Sequence, residues 1–371
     1  MICVVGLFRY YDRDEAQVIQ NLVNDVLQKL HLRCPTELKG VVRIKKTYGK
    51  LELLLQKSRV IGIWGMGGMG KSTIAKALFA RHFPYFDHVC FVANAKEFSL
   101  DKLFSQLFRE EVSASNVVGS TFDMSRLRRK KVFIVLDDVD CLDPLEYLCR
   151  EYENLDPRSK LIITTRDKQL LEGRVDQIYE VKKWETRASL KLFCLEAFKK
   201  RHPKKGYESL SQSAVEYAGG VPLALKVLGS SLRSKGINFW ESTIRKLSMY
   251  PNERIQKLLE VTYTGLHDLE KNIFLDVVFF FKEKQKDHVT RILDACGFEA
   301  TSGIEVLADK ALLTISYRNI IHMHDLLQQM GLEIVRQESS GDPGRRSRLK
   351  DNEAREVIEE NKVKKRNTDI L

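Results

Sequence analysis

VIGIWGMGGMGKSTIAKALF, residues 60–79, decides the fold. Apolar side chains run up to Trp64, glycines crowd the next six positions, a lysine and two hydroxyls follow, and a helical pattern then begins. The loop GMGGMGKS (65–72) fits G-x-x-x-x-G-K-[ST] in full, and it lies where that pattern has meaning, after a strand and before a helix. Gly67, Gly68 and Gly70 let backbone N–H groups converge on one point and let an anion approach closely. The helix that follows directs the positive end of its dipole at the same point. Lys71 adds a point charge for terminal phosphates. Ser72 offers a hydroxyl to magnesium, and Thr73 offers a further hydrogen bond. The alternative is a glycine-rich turn with accidental spacing, which the strand–loop–helix setting disfavours.

Four further stretches hold candidate residues. KVFIVL (131–136) is an apolar run followed by Asp137 and Asp138. A buried strand ending in carboxylates at the C-terminal edge of a parallel sheet puts them beside loop-bound phosphates. Asp137 would then hold magnesium, directly or through water, and Asp138 would polarise a water. KLIITT (160–165) is a third buried strand, and Arg166 stands just past its end. Its guanidinium either senses a terminal phosphate or is an ordinary turn residue. GGVPLAL (219–225) breaks an apolar helical stretch. Pro222 either packs on a flat ring such as adenine or marks a structural kink, and physics alone favours the kink. HMHD (322–325) offers His324, which residue-level reasoning alone would leave as a cap or core group.

Around these motifs the chain organises itself simply. Residues 14–32 carry apolar side chains at helical spacing, Pro35 and Gly40 punctuate, and a short helix is expected over 49–57. HVCFVA (88–93) reads as a strand, 98–112 as helical, and 113–121 as a polar loop. Strands alternating with helices predict a parallel sheet covered on both faces. From about residue 186 the strands give way to helical periods, and the stretch containing LLTISYRNIIHMHDLLQQM predicts two short strands and a helix, the ending of a winged helix.

Composition excludes several classes. With 371 residues, 43% apolar and 30% charged, the chain is too long for one small domain and too apolar for disorder. The net charge of +11 is spread in short runs mixed with acids, without the aromatic interleaving of a nucleic-acid groove, so nucleic acid is not the expected partner. Seven cysteines with no C-x-x-C pair point to free thiols in a reducing compartment. MICVVGLF lacks a basic n-region and FLDVVFFF is too short to span a bilayer, so a cytoplasmic, or nucleo-cytoplasmic, protein without a membrane span is expected.

The motifs GMGGMGKST, KVFIVLDDVD, KLIITTRD, GGVPLAL, FLDVVFFF and MHDLLQQMGLEIVRQES, in that order and spacing, resemble the nucleotide-binding core of plant disease-resistance receptors, the nucleotide-binding leucine-rich-repeat immune proteins related to apoptotic ATPases. Asp140 of LDDVD and the stretch LLQQMGLEIVRQES resemble the subclass with a Toll/interleukin-receptor domain. The resemblance implies a P-loop α/β domain, a helical bundle and a winged helix. The corresponding spans are a helical linker at 1–37, the P-loop domain at 38–183, the bundle at 184–250, the winged helix at 251–345 and a charged tail at 346–371. It further implies ADP or ATP with Mg2+ as cofactors. Lys71, Ser72 and Asp137 become phosphate and magnesium contacts, and Arg166 the sensor arginine. Pro222 becomes an adenine contact, Val41 part of the first adenine-contacting segment, and His324 the histidine that touches the β-phosphate of ADP. The chain begins without room for a Toll-type domain and ends before any L-x-x-L-x-L array, so a truncated switch is expected. Slow regulatory hydrolysis through Asp138, and other immune receptors or self-association as partners, complete the expectation. The competing classes are a turnover ATPase acting on nucleic acid and a non-catalytic modulator of full-length receptors.

Overall fold

A computed structural model describes residues 42–93, 95, 128–339 and 342–359. The helical stretches expected at 14–32 and 98–112 lie outside these residues, as does Val41. Helix α1 (Val42–Lys57) precedes β1 (Val60–Trp64) and α2 (Lys71–His82). Then come β2 (His88–Val92), β3 (Val132–Val139), α3 (Asp143–Tyr152), β4 (Lys160–Thr165) and β5 (Gln177–Glu180). Among the described residues the five strands form one parallel sheet in the order β2-β3-β4-β1-β5. The C-terminal end of β1, which feeds the glycine loop, therefore lies between β4 and β5.

Side-chain alternation divides the sheet cleanly. Ile61, Ile63, Phe133, Val135 and Ile162 face α1 and α2, where Leu51, Leu55, Leu78 and Phe79 pack on them. Val60, Val132, Ile134, Leu136, Leu161 and Ile163 face the other way, onto Leu145, Leu148 and Tyr152 of α3. Period two along each strand produces two faces, and burial of both explains why the strands read as continuous apolar runs. β4 has the bounds expected from KLIITT. β3 runs three residues past KVFIVL, because its pairing with β4 shifts register between Leu136 and Val139. β5 was not expected: QIYE is short, half polar and at the sheet edge, where alternation carries little signal.

A helical region follows, with α4 (Thr186–Phe198), α5 (Glu208–Ala218), α6 (Pro222–Leu232) and α7 (Ile237–Met249). Trp240 is its pivot, stacked 5.2 Å from Phe198 and edge-on to Phe193 and Tyr207, with its indole N–H donated to the Leu232 carbonyl at 2.9 Å. The last region contains α8 (Glu253–Thr264), α9 (Asp268–Asp276) and a π-helical turn (Val277–Phe281), then α10 (Lys286–Ala295) and α11 (Ala300–Asp309). The strands β6 (Thr314–Ile315) and β7 (Ile321–His322) and helix α12 (Asp325–Glu338) close the winged helix. β6 and β7 pair antiparallel, as the two-strands-then-helix reading expects. Helix α13 (Asp351–Glu359) comes last, and Arg348 just before it pairs with Asp276 at 2.6 Å, both side chains largely buried. One apolar cluster runs unbroken from the α2 face of the sheet through the helical region into the winged helix. No helix among the described residues is long and apolar enough to cross a membrane.

Candidate functional site

The glycine loop takes the shape its sequence implies. Gly65, Gly68 and Gly70 all have positive φ, at 147°, 78° and 93°, and Gly70 is the N-cap of α2. Alternating handedness of this kind turns successive N–H groups inward, the geometry of an anion nest at a helix N-terminus. Lys71 is only 6% exposed, and its ammonium donates to the carbonyls of Gly65 at 2.6 Å and Met66 at 3.1 Å. Burial, helped by the nearby Arg166 cation, lowers its pKa to about 7. A buried ammonium hydrogen-bonded to carbonyls, with the Asp138 and Asp137 charges acting on it but no carboxylate bonded to it among the described residues, fits an incoming phosphate. Ser72 and Thr73 follow in the first turn of α2, half-buried.

The two aspartates lie within β3, not beyond it, at the register shift. Asp138 has φ 60°, unusual for a non-glycine residue, and the bulge re-aims both carboxylates. Thr164, fully buried on β4, fixes them. Its hydroxyl donates to Asp137 Oδ1 at 2.6 Å and accepts from the Asp138 N–H at 2.9 Å. Thr165 repeats the device, donating to the Val139 carbonyl at 2.7 Å. Neither threonine was singled out from the sequence. The signal was present as a hydroxyl pair ending a buried strand, where an unpaired polar group is costly.

Arg166 reaches in two directions. Its Nε lies 3.5 Å from Asp138 Oδ1, and its Nη1 donates to the Leu258 carbonyl of α8 at 3.3 Å and approaches Thr262 Oγ1 at 3.5 Å. It thus ties the carboxylate pair to the last region. Gly67 lies beneath it: a Cβ there would come within 3.3 Å of Nη1.

Pro222 and His324 enter from the other side. The helix break is real, with α5 ending at Ala218, Gly219 and Gly220 at positive φ, and Pro222 as the first residue of α6, where its missing N–H costs nothing. Pro222 is buried, and the Leu223 N–H beside it donates to the Gly68 carbonyl at 3.2 Å. His324 caps α12: its Nδ1 accepts from the Leu326 N–H at 3.2 Å, and Nε2 lies 3.0 Å from the Gly219 carbonyl. Those partners select the neutral tautomer with hydrogen on Nε2, which donates to Gly219. Burial holds the imidazole below its ordinary pKa.

Gly65, Met66 and Met69 of the loop and His324 line a cavity of about 380 Å³, with Lys183 and Met323 among the other lining residues. That volume lies in the range of small-ligand pockets. Asp138 and Arg166 instead line a second cavity of about 250 Å³, with Asp140, Asp167, Thr262 and Lys310. The structure therefore gathers the loop glycines, Lys71, Asp137, Asp138 and Arg166 at one sheet edge and sets His324 across the first cavity. Gly67, Gly68, Gly70, Lys71, Ser72, Thr73 and Asp137 adjoin these two cavities without lining them, as does Pro222 beside the loop.

Comparison with known proteins identifies the domains. Residues 43–203 match the NB-ARC domain, and residues 267–339 match the winged-helix domain of Roq1-like disease resistance proteins. The chain is 41% identical over 356 residues to the disease resistance protein RUN1 of Vitis rotundifolia, covering 92% of this chain and 27% of that protein. It is 40% identical to the TMV resistance protein N of Nicotiana glutinosa, covering 91% of this chain and 31% of that protein. The chain thus spans roughly a quarter to a third of the length of these relatives. Among solved structures, a Walker-type ATPase of Pyrococcus abyssi superposes with a TM-score of 0.54 at 15% identity, over 76% of this chain and 93% of that one. This last likeness shows the P-loop fold alone.

Proposed function

This chain carries the NB-ARC and Roq1-like winged-helix domains of the plant disease-resistance family to which it belongs, and we propose that it works as a nucleotide-dependent switch in plant immunity, closed with ADP and open with ATP. The observation that carries this reading is the shared cavity: Gly65, Met66 and Met69 of the loop and His324 of the last region face one space, though far apart in sequence. Groups from distant parts of the chain that grip one ligand couple its binding to their closure.

In this reading the loop N–H groups and Lys71 hold the phosphates, and Ser72 and Asp137 hold Mg2+. The metal would supply charge neutralisation between phosphate oxygens. Thr164 orients Asp137 for that task. His324 donates from Nε2 and would exchange Gly219 for a terminal phosphate oxygen of ADP. Pro222 and Val41 would flank the adenine. Arg166 would meet a third phosphate only by leaving Asp138 and the α8 carbonyl, so di- and triphosphate would make different contacts with the protein. Such a difference is what a ligand needs to bias two states. Asp138, engaged by Arg166, would orient water poorly in the closed form, and hydrolysis would be slow. The domain spans 38–183, 184–250 and 251–345 are the moving parts in this account.

Replacing His324 with alanine removes the ligand contact, the α12 cap and the Gly219 bond together. Dissociation of a fluorescent ADP analogue is expected to quicken about tenfold, since one hydrogen bond to a charged acceptor contributes roughly 1.5 kcal/mol. An unchanged off-rate in stopped-flow would contradict the shared-ligand reading.

A further inference from the structure

Helix α11 ends at Asp309, and its last carbonyls need donors that the helix cannot supply. The residues that follow supply those of Val306, Leu307 and Ala308, from Lys310, Leu312, Leu313 and Ala311, whereas Asp309 takes its donors from the P-loop region. The Asp309 carbonyl accepts from the Lys168 N–H at 2.9 Å and from the Trp64 indole N–H at 2.8 Å. Gln169 Nε2 donates to Asp309 Oδ2 at 3.0 Å, and Lys310 Nζ pairs with Asp167 Oδ2 at 2.7 Å, with both side chains about three-quarters buried. Every one of these partners adjoins the candidate site. Trp64 immediately precedes the glycine loop, and its indole is also 3.2 Å from the Arg166 carbonyl. Asp167, Lys168 and Gln169 directly follow Arg166, in a turn that Thr165 Oγ1 braces by accepting the Asp167 N–H at 3.0 Å.

We propose that Asp309 and Lys310 are positioning residues for Arg166: they clasp the turn that carries it, independently of nucleotide, and so bind the winged helix to the phosphate-sensing edge of the sheet. A helix C-terminus is the electronegative end, and here the P-loop region caps it with two N–H groups while a partly buried ion pair flanks them. Any displacement of Arg166 toward a ligand drags Asp167 and Lys168, and the clasp must stretch or break. His324 closes the cavity on one side of the loop, and the clasp closes the other. The coupling to nucleotide rests on the proposed function, whereas the clasp itself does not.

Amide exchange in the full chain tests it, read at Lys168, whose N–H is one of the clasping bonds. In nucleotide-stripped protein, Lys310→Ala should speed that exchange about tenfold, and Trp64→Phe, which keeps the ring and removes the donor, should act in the same direction. The charge swap Asp167→Lys with Lys310→Asp should return exchange to within about twofold of the parent. Because Arg166 meets the third phosphate in the proposed function, Lys310→Ala should also raise the affinity for a non-hydrolysable ATP analogue relative to ADP severalfold. Unchanged Lys168 exchange in a variant with native circular dichroism, or no recovery in the swap, would overturn the clasp. Faster exchange with an unaltered ratio of triphosphate-analogue to ADP affinity would overturn its role in positioning Arg166 and leave the proposed function standing. Failure of the parent to bind ADP would remove the proposed function, while exchange without nucleotide would still decide the clasp.

Discussion

Lys71→Ala is expected to lose nucleotide affinity by about 100-fold or more, the scale of a charge-assisted contact to terminal phosphates removed from a dry site. Lys71 is 6% exposed, and its ammonium donates to two backbone carbonyls among the described residues, with Asp137 and Asp138 near enough to act on it electrostatically. Titration calorimetry with ADP measures the loss, and near-parental affinity in a folded variant would contradict the phosphate assignment. The parent protein carries a further signature. Burial lowers the Lys71 pKa to about 7. A bound phosphate favours the charged form and raises it again. Binding must therefore take up protons above about pH 7, and affinity must fall as pH rises from there toward the pKa of the bound state. Calorimetry in buffers of different ionisation enthalpy counts those protons, and Lys71→Ala should abolish the uptake.

Gly220→Ala is expected to cost about 3 kcal/mol or more of stability, from left-handed strain of roughly 1–2 kcal/mol plus overlap with fixed backbone. Gly220 has φ 83°, and a Cβ there would overlap the Trp184 carbonyl oxygen and lie 2.9 Å from the Trp184 nitrogen. The clash has no flexible side chain to absorb it, because Trp184 N–H donates to the Gly220 carbonyl at 2.8 Å and pins the two strands of chain together. Gly219 next door faces a softer obstacle, the His324 ring, with a would-be Cβ 2.5 Å from Cε1. Denaturant titration of the two variants separates the cases. Gly220→Ala should show the larger loss of midpoint, and equal, small shifts would argue that the break between α5 and α6 is looser than its hydrogen bonds imply.

How far the sequence reached depended on the kind of signal. The glycine loop, β1 and α2 were legible together, because a phosphate nest demands glycines, lysine and hydroxyl at set places between a strand and a helix. KLIITT was legible because a strand buried on both faces reads as an apolar run with sharp ends. β5 was not, since an edge strand of four residues has neither length nor alternation. Asp137 and Asp138 were placed beside the phosphate loop, but the bulge that aims them, and Thr164 that holds them, depend on cross-strand register, which no local pattern encodes. His324 needed the family resemblance: its cap on α12 is local, but its bond to Gly219 spans 105 residues. Asp309 and Lys310 are an ordinary acid and base at a helix end, and only the fold brings Trp64 and the Arg166 turn to them.

The central claim is that one adenine nucleotide joins the glycine loop to the winged helix. Denaturing the purified chain and identifying what it releases by chromatography tests this most directly. About one ADP per chain in the parent, and none from Lys71→Ala, is the expected result. A parent chain that releases no adenine nucleotide, and binds no added ADP afterwards, would contradict the claim.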